Sequence, residues 1–62
     1  MIDIVEIYAK IVMDTEKAWR LDIGENEPIW IGKSLVESFD PDEGTVIVQR
    51  WWAEQNKVAI VE

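Results

Sequence analysis

The groups in this chain that could do chemistry are carboxylates and indoles. Asp40, Asp42 and Glu43 stand together in DPDEG, and Glu25 and Glu27 flank Asn26 in GENEP. Alternating oxygen ligands of this kind suit calcium, but the helix–loop–helix site needs a loop of about twelve residues closed by a ligating Glu, and neither is present. Asp40, placed before Pro41, is instead expected to accept hydrogen bonds from the backbone just after it and close a turn. A glycosidase-like carboxylate pair would need a concave pocket, for which 62 residues leave little room. His and Cys are both absent. Their absence removes imidazole acid–base chemistry, thiol nucleophiles, Ser-His-Asp triads, disulfides and the commonest zinc sites. Lys33 and Ser34 mimic the end of a P-loop without its upstream glycine, and no G-x-G-x-x-G run exists. The expectation is a chain that is not an enzyme and carries no cofactor and no metal.

The four tryptophans are the richer signal. Trp19 and Trp30 sit among alternating β-branched residues and are expected in the core. Trp51 and Trp52 are neighbours, and on a helix their side chains point about 100° apart, so one faces the sheet while the other is spare. A spare large aromatic in so small a protein serves self-association or a partner. Trp51, Trp52, Lys33 and Arg50 are therefore the candidate contacts. Were the ligand a single-stranded nucleic acid, Arg20, Lys33 and Arg50 would have to supply the phosphate contacts beside a stacking indole.

Size and charge narrow the field further. A chain of 62 residues holds one small domain, residues 1–62. A core of that size supplies roughly 3–5 kcal/mol, and with no disulfide or zinc available self-association, as a dimer or larger, is the remaining support. Thirteen acidic residues against six basic ones give a net charge of −7. Such a chain is repelled by phosphate backbones, which disfavours nucleic acid and suits a basic protein target. Asp3 and Glu6 occupy the place of a basic signal-peptide start, and no apolar run approaches the roughly 18 residues of a membrane span. The expectation is a cytoplasmic protein with no membrane contact.

Positioning falls to a mainly β scaffold. Residues 2–13 alternate with period two, Val5, Ile7, Ala9, Ile11 and Met13 sharing one face, and read as one long strand before a turn at Asp14, Thr15 and Glu16. Residues 17–23 read as a second strand, with Trp19, Leu21 and Ile23 on its apolar side, and residues 24–28 as the loop that closes a hairpin. A third strand starts at Ile29, with Gly32 marking a bulge or close approach; residues 35–39 are ambiguous between strand and turn. After a turn over residues 40–44, TVIVQ at 45–49 reads as a strand, and residues 50–57 as two helical turns ending near a left-handed Asn56. Residues 58–62 read as an extended tail pairing with a sheet edge. The fold class is α+β: a small twisted antiparallel sheet of about four strands, then one short C-terminal helix.

The series EKAWRLDI at 16–23, IWIGKS at 29–34, TVIV at 45–48 and RWWAEQNK at 50–57 resembles short, mostly uncharacterised proteins of bacteriophages and other mobile elements. In that group a segment like EKAWLL precedes W-[LI]-P-K-S, a strand and a segment like PEWLAEKKGL. The likeness spans about two thirds of the chain and is carried by Glu16, Lys17, Ala18, Trp19, Trp30, Ile31, Lys33, Ser34, one of Trp51 and Trp52, Ala53 and Glu54. Gly32 replaces the usual Pro, Gln49 and Arg50 stand where Pro-Glu is common, and Asn56 stands for a terminal Gly. The layout is similar to the small single-stranded-DNA-binding coactivator fold, which dimerises, and to some very small anti-CRISPR proteins. The resemblance implies an oligomer in a mobile-element context; together with the composition, the preferred reading is a non-catalytic, homo-oligomeric binding protein of a phage or similar element acting in counter-defence. A single-stranded nucleic-acid binder is the alternative, and a structural domain without separable activity the third reading.

Overall fold

Alternation carries the first strand as far as Ala9, where the chain leaves one sheet and enters another. The computed structural model describes residues 3–24 and 27–61. Ile2, Glu25, Asn26 and Glu62, which belong to the expected first strand, loop and tail, lie outside the described residues. The long apolar run is divided into β1 (Ile4–Tyr8) and β2 (Lys10–Asp14). β3 (Ala18–Asp22) and β4 (Ile29–Gly32) follow, then a single 3-10 turn (Lys33–Leu35), β5 (Val36–Asp40), β6 (Thr45–Gln49) and helix α1 (Arg50–Gln55).

The class is α+β with a short C-terminal helix, and the strands form two antiparallel three-stranded sheets, ordered β1-β6-β5 and β2-β3-β4. A single sheet of about four strands was the simpler expectation. The difference arises because β1 and β2 are successive along the chain but hydrogen-bond in different sheets, and β4 and β5 are likewise joined only by the 3-10 turn. At both corners the covalent chain passes from one sheet to the other.

Register decides which residues meet inside. Val5 lies opposite Val48 and Ile7 opposite Val46, while Ile11 pairs with Leu21, Leu21 with Ile29 and Trp19 with Ile31. Period-two alternation then turns these side chains to one face of each sheet. Val5, Ile7, Leu21, Ile31, Val46 and Val48 form one core with Ala9, Trp52, Ala53 and Val58. Trp19 is half-buried and meets the Phe39 ring edge-on across the two sheets, 5.0 Å between centroids at 83°, a favoured aromatic geometry.

Two local expectations are corrected. Gly32 makes no bulge: its φ of −67° is ordinary and a Cβ there would approach only the Ser34 Oγ, at 3.9 Å. The bulges fall between Ile11 and Met13 and between Val36 and Ser38. The second of these explains why residues 35–39 show no clean alternation. The left-handed residue after α1 is Lys57, with φ +56°, not Asn56. The Val58 N–H donates to the Ala53 carbonyl at 2.9 Å and the Lys57 N–H to the Glu54 carbonyl at 3.2 Å, the paired pattern of a Schellman termination whose apolar contact is Val58 against Ala53. The tail then runs along the free edge of β1, Ile60 bridging Ile7 and the Val61 N–H donating to the Glu6 carbonyl at 2.7 Å. That edge is thereby covered, as the extended tail was expected to do.

Candidate binding surfaces

Helix α1 separates the adjacent tryptophans as its 100° step requires. Trp52 is 5% exposed and belongs to the core, while Trp51 is 53% exposed, its indole N–H donating to the Gln49 Oε1. Of the candidate contacts Trp51 is thus on the surface and Trp52 is structural. Arg50 donates from Nε to the Asp3 Oδ2 at 2.6 Å beside it. Ile4, exposed and opposite Gln49 in the register, extends the apolar part of this patch.

Lys33 lies elsewhere, at the corner between the sheets. Its ammonium is 2.7 Å from the Asp14 Oδ1 and 5.9 Å from the centre of the Trp19 ring. Hydrogen bonding by Lys33 holds the Asp14 carboxyl below the ordinary carboxylate range, with a smaller pull from the nearby Trp19 indole N–H. That N–H is buried without a hydrogen bond of normal geometry among the described residues.

Trp30 was expected inside and is on the surface, 47% exposed. Ile29 and Ile31 occupy the core-facing positions of β4, so alternation sends the indole between them outward. There it lies opposite Arg20, whose guanidinium carbon is 5.8 Å from the ring centre, within cation–π reach. The Arg20 Nε is buried with no hydrogen-bond partner among the described residues. Val12 and Met13, also exposed, stand by the β2 bulge opposite Arg20.

One further feature is marked by no motif in the chain. The end of β1, the start of β2, the end of β3 and the β5–β6 turn enclose an open cleft of about 580 Å³, within the size range of ligand sites. Ile11, Ile23, Phe39 and Val46 line it, with Asp22 and Asp40 among the polar residues at its wall. The Asp22 Oδ1 accepts from the Gly24 N–H at 2.9 Å, and the Asp40 Oδ1 from the Asp42 and Glu43 N–H groups at 3.0 and 3.2 Å. Asp40 therefore closes its own turn, as expected, and Gly44, with φ +71°, completes it. The only local signals of the cleft were the turn residues Gly24 and Gly44; its lining comes from segments far apart in sequence. No protein-family model, no curated protein and no solved structure matches this chain.

Proposed function

We propose that this chain is a non-catalytic, homo-oligomeric binding protein for a basic protein partner, and that its role is counter-defence in the cytosol of a host cell invaded by a phage or similar element. The mobile-element part of the reading rests on the sequence resemblance alone. The binding part is supported chiefly by how the cations are used. Lys33 is paired with Asp14, Arg50 with Asp3, and Arg20 is stacked on Trp30. Lys10, Lys17 and Lys57 stand at three separate places, the start of β2, the turn before β3 and the end of α1, so no element gathers a phosphate-binding row. The chain carries a net charge of −7, which steers a basic partner inward and nucleic acid away. Trp51 and Ile4 offer an apolar patch for a second copy.

The alternative reading, a single-stranded nucleic-acid binder, is favoured by one observation: Trp30 lies open to solvent under the Arg20 guanidinium, which is how a stacking platform is built. Fluorescence anisotropy with a labelled single-stranded 20-mer and a labelled arginine-rich peptide at about 0.15 M salt separates the two readings. Binding of the peptide alone is expected. Salt-sensitive binding of the oligonucleotide, lost on Trp30→Ala, would reverse the order. Sedimentation equilibrium should give a dimer or larger, and a folded monomer at micromolar concentration would remove self-association from the proposal.

A further inference from the structure

Resting on the reading that the partner is a basic protein, we infer that the cleft between the β1–β2 corner and the β5–β6 turn is the seat of an arginine side chain of that partner. The floor is apolar and suits an aliphatic stem. Tyr8 and Phe39, both among its lining residues and 64% and 50% exposed, present aromatic surface on which a planar guanidinium can stack. The walls carry Asp22 and Asp40. In each of these carboxylates Oδ1 holds the local turn, and Oδ2 has no hydrogen-bond partner among the described residues. Two acceptors are thus oriented by turn hydrogen bonds, with their second oxygens unpartnered among the described residues, a donor set that a forked guanidinium reads better than a point-charge ammonium.

Lys10 also lines the cleft and lies opposite Asp22 in the register. It makes no ion pair among the described residues. Against its single positive charge stand Asp22 and Asp40 at the wall, with Asp42 and Glu43 in the same turn as Asp40. The mouth is therefore negative, and an anionic or nucleotide ligand is repelled from it.

The test is an NMR titration of the isotope-labelled full chain with the capped peptide Gly-Arg-Gly and with its citrulline counterpart, which keeps shape and removes charge. Saturable shifts are expected at the amides of Ile23, Gly24, Gly44 and Thr45, with the citrulline peptide about tenfold weaker. The double variant Asp22→Asn, Asp40→Asn should also bind about tenfold more weakly while keeping its thermal transition, because the Asn carbonyl still accepts the turn hydrogen bonds. If the double variant does not fold, the two peptides on the unaltered chain still decide. Equal binding of both peptides would make this a cleft for neutral ligands and overturn the inference. So would an arginine-rich peptide that binds while the cleft amides stay still, which would leave the proposed function standing. Failure of every basic peptide together with binding of the oligonucleotide would remove both.

Discussion

The two sheets have the same number of strands and the same antiparallel pairing, but they bury their residues differently. The β1-β6-β5 sheet sinks Val5, Ile7, Thr45, Val46 and Val48, receives α1 against β1 and β6, and has its β1 edge closed by the tail. The β2-β3-β4 sheet buries only Leu21 and Ile31 within its strands, although each sheet leaves three large apolar side chains exposed, Ile4, Tyr8 and Phe39 on the first and Val12, Met13 and Trp30 on the second. Burial of apolar area stabilises by about 25 cal/mol per Å², so the first sheet with its helical cover holds the fold. The second closes the core from the other side with fewer buried residues. Small domains have little stability to spare, and here most of it is concentrated in one half.

The sharpest break of that contrast is Trp52→Ala. Removing this core indole should cost about 3–5 kcal/mol, comparable with the whole stability, and abolish the cooperative thermal transition. Trp51→Ala, one residue away, should stay within about 0.5 kcal/mol in the same experiment. A similar cost for the two would mean that α1 does not cover the core as described.

Trp30→Ala probes the other sheet. The loss should be about 1 kcal/mol, mainly the stacking with Arg20, read as a small shift in urea midpoint with an unchanged slope. A loss near that of Trp52 would place Trp30 in the core after all. Lys57→Gly should move stability the other way, by about 0.5–1 kcal/mol upward, because φ +56° strains a side-chain-bearing residue and glycine relieves it. That gain strengthens the joint between α1 and the tail, and so the covered sheet alone.

The smallest effect is expected from Asp14. Lys33 holds its carboxyl below the ordinary value of 3.8 in the folded chain. The unfolded chain therefore takes up the proton first as pH falls, and the stability contributed by the pair is present above that value and lost as pH drops through the lowered one. Asp14→Asn should flatten this part of the acid limb of an unfolding titration and leave stability near neutral pH little changed, since both partners are exposed.

Much of this division was legible in the chain, and the failures have physical reasons. TVIVQ is bounded by a glycine turn and by Arg50, and it folds as the strand expected at residues 45–49. Val5, Ile7 and Ala9 all point inward as their spacing requires, but alternation continues unbroken through a change of sheet, so nothing in it marks Ala9 as a corner. Its β-branched neighbours point Trp30 to the core, whereas three residues in a row, Ile29, Trp30 and Ile31, can put only the first and last on the same face. β5 was ambiguous because its bulge cancels the period. The burial of Trp52 against the exposure of Trp51 followed from helix geometry as a split, but which of the two turned inward depended on how α1 meets β1 and β6.

Residue-resolved hydrogen exchange of the unaltered chain tests the central claim, that one half of the molecule carries the stability and the other is held against it. The amides of β6, paired on both sides and buried, should exchange only through global unfolding. Those of β2, an exposed edge strand with a bulge, should exchange measurably faster through local opening. Protection in β2 equal to that in β6, or β6 amides exchanging faster than global unfolding allows, would contradict it.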